Sequence, residues 1–225
     1  MADGKPVGNI RYGTSSWTDK TLIDCKCFYP PEVDTPAERL RHYSERFPLV
    51  EVDSTYYALP SERNAALWIE RTPMHFTFDI KAFALLTHHS VGPRGLPAKL
   101  REQLSADRKR FYRKDLPPDA LALVEEMFVS ALRPLESAGR LGAVLFQFPY
   151  WFIPSPPNRD YLKSLAASFP YRVAVEFRGG GWMKDERSAE GVSNRGWGGV
   201  GSAIEAFEPS GEPDMPREQF EEHIF

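Results

Sequence analysis

Glu51 and Asp53 stand two residues apart in Leu49-Val50-Glu51-Val52-Asp53-Ser54-Thr55-Tyr56-Tyr57-Ala58-Leu59-Pro60, a strand-like run that opens into hydroxyls, two tyrosines and a proline. Alternation at period two sends both carboxylates to one face of a strand. Neighbouring acids inside a sheet need pairing, a ligand or a catalytic task to offset their desolvation. The same parity recurs along the chain. Asp79 and Lys81 share a face in 76–81, Gln147 is the lone polar side chain of 143–148, and Glu176 and Arg178 share a face at the end of 172–177. Each set falls near the C-terminal end of its strand.

Carboxylates gathered with a lysine and an arginine can move protons, hold a divalent ion or neutralise a substrate phosphate. Like charges held close push one carboxylate's pKa up, so one residue type can supply both an acid and a base. We take Glu51, Asp53, Lys81, Glu176 and Arg178 as candidate catalytic residues. Ser15, Trp17, Ser54, Tyr56, Gln147 and Trp182 are candidate substrate contacts. The competing reading makes Glu176–Arg178 and Asp79–Lys81 ion pairs that plug the interior of the fold. No Gly-x-Ser-x-Gly elbow surrounds Ser15, Ser16 or Ser54, which weakens a serine-hydrolase reading. An adjacent pair such as His88-His89 seldom points at one metal, and Cys25-x-Cys27 lacks partner ligands, so no metal site is expected and no cofactor is named.

The elements that must position these residues alternate. The spacing predicts strands over 10–15, 50–54, 76–81, 143–148 and 172–177. Thr35-Pro36-Ala37-Glu38 opens a helix with a capping box and a proline at its first position. Ser61 caps a second helix that must end before Pro73. Pro117-Pro118-Asp119 opens a third, with Leu121, Val124, Phe128, Leu132 and Leu135 on one face and Gly139 as its stop. A fourth is expected over 158–169. Near-continuous apolar strands separated by helices imply a parallel sheet in an α/β protein, either doubly wound or a (β/α)₈ barrel. No glycine-rich phosphate loop follows the first strand, which weakens a dinucleotide-binding reading.

At 225 residues, with 42% hydrophobic and 13% aromatic residues, the chain can build a substantial core. Its 28 basic and 31 acidic residues give a net charge of −3, hence no global pull toward nucleic acid or anionic membrane. The first residues hold no apolar leader and no run reaches membrane-spanning length, so a cytoplasmic location is expected.

Together, Gly13-Thr14-Ser15-Ser16-Trp17, the run around Glu51 and Asp53, and Glu176-Phe177-Arg178 resemble the YecE-like family, domain of unknown function 72. The resemblance implies a TIM-barrel-like (β/α) fold with its site at the strand C-termini. It implies no reaction, since the family has no agreed catalytic residues to transfer. The motif resemblance runs to about Arg187. After that the composition changes: eight of the 16 glycines lie between Gly179 and Gly201. We therefore expect a partial barrel over 8–187, with about five of eight strands, and a glycine-rich tail over 188–225 that is disordered or out of frame.

Residues 84–116 form an insertion after the third strand, carrying Arg94, Lys99, Arg101, Arg108, Lys109, Arg110, Arg113 and Lys114. It would place a basic lid over an acidic pocket, unless it is merely a solvated charged helix. The resulting expectation is an enzyme that acts on an anionic, phosphate- or sugar-bearing small molecule by acid–base or metal-assisted chemistry. A nucleic-acid-binding protein using 94–114 and a non-catalytic fragment are the alternatives.

Overall fold

The computed structural model describes residues 11–102, 104, 108–179, 181–184 and 203–207, with 183–184 and 203–207 described by backbone alone. In chain order the main elements are α1 (Lys20–Asp24), α2 (Pro36–Ser44), β1 (Leu49–Val52), α3 (Glu62–Glu70), β2 (Thr77–Lys81), α4 (Ala98–Arg101), α5 (Pro118–Ser137), β3 (Leu141–Phe148), α6 (Pro156–Ser168), β4 (Val173–Phe177), α7 (Gly181–Lys184) and β5 (Ala203–Phe207). The helix starts follow the expected chemistry. Thr35 and Glu38 close a reciprocal capping box on α2, and the Ser61 hydroxyl accepts from the Asn64 amide at the start of α3. Past the end of α5, Gly139 turns the chain left-handed at φ +63°, open to glycine at little cost.

One sheet runs in the order β1-β2-β3-β4-β5. The first four strands are parallel and pair in chain order, while β5 lies antiparallel on β4. The expected first strand, 10–15, contributes a single parallel bridge between Ser15 and Glu51. Its approach is tight, since a Cβ on Gly13 would meet the Leu49 carbonyl oxygen at 2.3 Å. Ser16, at φ +82°, then turns the chain out of extended geometry, so the ladder stops there. Among the described residues the sheet has five strands, but with different membership from the expected set. The strand 203–207 falls in a stretch whose sequence shows no strand period.

Strand parity divides the sheet into two unlike faces. Val50, Val52, Phe78, Ile80, Val144, Phe146, Phe148, Val173, Val175 and Phe177 are buried in the main core. Leu40 and Tyr43 of α2, Trp68 of α3, Phe128 and Leu132 of α5, and Leu162 of α6 pack into the same core. The other face carries Glu51, Asp79, Lys81, Gln147 and Glu176, with Ala143, Leu145 and Ala174 as its small apolar patch. A polar face is thus held in place by an apolar one.

The insertion is anchored rather than solvated. Val91, Leu96, Leu100, Phe111 and Leu116 are buried, and Val91 pairs with Phe111 in an antiparallel bridge. Gly95 lies so close to the Tyr57 carbonyl that a Cβ would meet it at 2.6 Å. This fastens the insertion to the loop after β1.

Candidate functional site

The carboxylates and cations of the polar face converge at the C-terminal ends of the strands. Glu51 on β1 and Lys81 on β2 form an ion pair at 3.6 Å, with side chains 13% and 18% exposed. Gln147 on β3 donates from Nε2 to Glu176 Oε2 at 2.5 Å, and Arg178 Nε lies 3.3 Å from the other oxygen of the same carboxylate. The register that puts Gln147 opposite Glu176 makes this bridge possible. Burial pushes the Glu51 pKa up; Lys81 opposes the shift, while Asp53 and Glu176 add to it. A carboxyl so placed can carry a proton at higher pH than an ordinary glutamate.

Asp53 reaches the site by a route other than strand parity. β1 ends at Val52, and 53–56 form a 3₁₀ turn, so Asp53 leads that turn instead of following Glu51 along a strand. Its charge still acts on Glu51. In the same turn the Thr55 hydroxyl donates to the carbonyls of Val52, at 2.8 Å, and Lys81, at 2.6 Å, locking the turn onto β2. Tyr56 then faces Lys81, whose Nζ lies 5.8 Å from the ring centre. Ser54 is exposed beside it.

Asp79 stands opposite Glu51 on the neighbouring strand, one layer below Lys81. Its Oδ1 accepts from the Ala143 amide at 2.8 Å, and burial raises its pKa to about 7. Gly142 leaves room for this carboxylate, since a Cβ there would sit 2.1 Å from Oδ1. Asp79 therefore does not pair with Lys81, which is committed to Glu51. A cavity of about 140 Å³ opens on this side, with Ser15, Glu51, Asp79 and Leu145 among its walls.

The two tryptophans expected as substrate contacts are occupied by packing. Trp182 is 6% exposed, stacked with Phe177 at 4.5 Å and Phe152 at 5.5 Å, and its indole N–H donates to the Phe152 carbonyl. Trp17 donates to the Pro36 carbonyl at 3.0 Å and packs edge-on against Trp68. The aromatic rim is built from other residues. Tyr57, Tyr150 and Trp151 are 67%, 71% and 50% exposed, and His89 lies between Tyr56 at 5.3 Å and Trp151 at 5.8 Å. Strand parity could not find His89, which sits in the turn after β2. The adjacent histidines were the only signal in the sequence.

The basic insertion spends part of its charge on itself. Arg108 pairs with Asp115 at 2.6 Å, Arg113 lies over the Tyr161 ring at 4.9 Å, and Arg110 donates to Ser90 at 2.8 Å. Among the described residues no group of three or more His, Cys, Asp or Glu side chains could hold a metal ion, and no helix is long and apolar enough to cross a membrane.

Comparison with known proteins fits this arrangement. The family profile for Protein of unknown function DUF72 matches residues 11–214, past the point near Arg187 where recognisable motifs stop. The UPF0759 protein YunF of Bacillus subtilis is 29% identical over 194 residues, covering 84% of this chain and 58% of YunF. A crystal structure of a DUF72 family protein from Enterococcus faecalis superposes with a TM-score of 0.57 at 21% identity, a likeness of fold alone, covering 81% of this chain and 55% of that one. One from Thermotoga maritima gives 0.55 at 28% identity, covering 80% and 60%. The chain thus spans somewhat over half the length of these relatives.

Proposed function

The chain belongs to the DUF72 family, and from the charges at its strand ends we propose that it is an enzyme acting by acid–base chemistry on a small anionic substrate. The observation that carries this reading is the cluster of Glu51, Lys81, Gln147, Glu176 and Arg178, drawn from four adjacent strands to one end of the sheet. Strand C-termini are where parallel α/β folds hold their chemistry. Lys81 and Arg178 would receive the substrate's negative charge, and Glu51, with its raised pKa, would move the proton. Gln147 fixes one oxygen of Glu176 so that the other faces Arg178.

The same reading takes the four parallel strands as a sector of a TIM-barrel-like fold. Chain-order pairing, helices on one face and polar layers on the other support it, whereas a doubly wound sheet reverses its strand order at a switch point. The glycine-rich stretch after 187 would then be a departure from barrel sequence. A metal-assisted reaction has less support, since Glu51, Asp79 and Glu176 are already engaged by cations and amides.

The test is a screen of phosphorylated and carboxylated metabolites for turnover, with Glu51→Gln alongside. We expect that variant to lose about 10²-fold or more in rate while still binding the substrate. Full turnover by Glu51→Gln would remove Glu51 from the chemistry.

A further inference from the structure

The turn after β2 places an imidazole at this site against a buried hydroxyl. Residues 84–87 form a single 3₁₀ turn, and His88 then adopts the left-handed conformation at φ +62°. That conformation brings the His89 amide onto the Ala84 carbonyl at 2.9 Å and sets the His89 ring between Tyr56 and Trp151. The buried Thr87 hydroxyl lies 2.9 Å from His89 Nδ1 and 3.2 Å from the Ala84 carbonyl, so it can accept from an Nδ1–H while donating to that carbonyl. Nε2 has no hydrogen-bond partner among the described residues.

Resting on the functional reading above, we propose that Thr87 holds His89 as the Nδ1–H tautomer and that Nε2 is then the hydrogen-bond acceptor for a hydroxyl of the substrate, which makes the substrate a hydroxylated anion such as a sugar phosphate. The charges around the ring agree. Lys81 from β2 and Arg178 from beyond β4 both act on it, and with its burial they hold its pKa down to about 4, so the ring is neutral at physiological pH. Tyr56 and His88 are the other titratable groups against it. A neutral ring within the influence of two cations suits an anion that arrives with a hydroxyl beside its charge. The cations take the charge, and Nε2 takes the O–H. Exposed Trp151 and Tyr57 flank this point and offer faces to a sugar ring.

Two measurements on the full chain test the assignment. Nitrogen-detected NMR of the histidines should show His89 as the Nδ1–H tautomer, uncharged from pH 5.5 to 8. Ribose 5-phosphate and inorganic phosphate then serve as the binding probes. Wild type should prefer ribose 5-phosphate about tenfold; His89→Leu should lose the preference but keep phosphate binding, and His89→Gln, which keeps an acceptor, should restore part of it. Lys81→Ala should weaken both probes. An Nε2–H tautomer, a charged ring at pH 6.5, or an unchanged preference in His89→Leu of native melting temperature overturns the proposal. If neither probe binds wild type, the anionic-substrate reading fails, and the tautomer alone decides whether the acceptor exists.

Discussion

A single carboxyl at the floor of the site should lower stability as pH rises, against the gain that His88 and His89, held down to about 4 by burial, contribute between about pH 4 and 6.5. Asp79 has a pKa near 7 when folded against an ordinary value of 3.8 when unfolded, because burial penalises its charge. The folded state therefore binds more protons between those values. The stabilisation is complete below about pH 4 and is lost as pH rises through 7, with a slope of up to about 1.4 kcal/mol per pH unit. Asp79→Asn should remove this falling contribution, so that urea melts at pH 4.5 and 7.5 show stability gaining more with pH than in wild type, and an unchanged difference would mean that Asp79 does not titrate there. Arg140 makes a different demand. It is 4% exposed, donates to the Phe76 carbonyl and, at 2.6 Å, to the Thr72 hydroxyl, and lies over the Phe78 ring. Arg140→Leu should cost about 2–3 kcal/mol by leaving those partners unpaired, read as a fall in the denaturation midpoint.

Between strands, the coupling runs through Gly142. An alanine there would collide with the Asp79 carboxylate at 2.1 Å and with Thr77 Cγ2 at 2.8 Å. We expect Gly142→Ala to cost about 1–3 kcal/mol, and much less in an Asp79→Ala background; additive costs would refute the contact. Periodicity alone made the four parallel strands and the four longer helices legible. The Thr35 box, the Ser61 cap and the Gly139 stop follow from local hydrogen bonding that sequence displays directly. The shared face of Glu51, Lys81, Gln147 and Glu176 was legible for the same reason. Parity failed where the backbone left extended geometry: Asp53 entered a 3₁₀ turn, and His89 depended on a left-handed residue that no alternation signals. Trp17 and Trp182 read in the sequence as ligand contacts, while in the fold Trp182 is buried in an aromatic stack and Trp17 packs edge-on against Trp68.

Across the molecule, the backbone of β4 is covered on both sides, by β3 and by antiparallel β5. A chain ending at 187 would expose one row of β4 amides and carbonyls, which invites pairing between molecules. Light scattering should show that truncated chain associating with itself at concentrations where the full chain does not, whereas equal scattering would mean that β5 shields nothing. The chain-order pairing of β1 through β4 also has a kinetic consequence. Each parallel strand finds its partner already synthesised, so the sheet can grow in step with translation and never waits for a segment still inside the ribosome. The acidic end of the site on β1 would then form first, and the Gln147–Glu176 bridge would close only when β4 emerges.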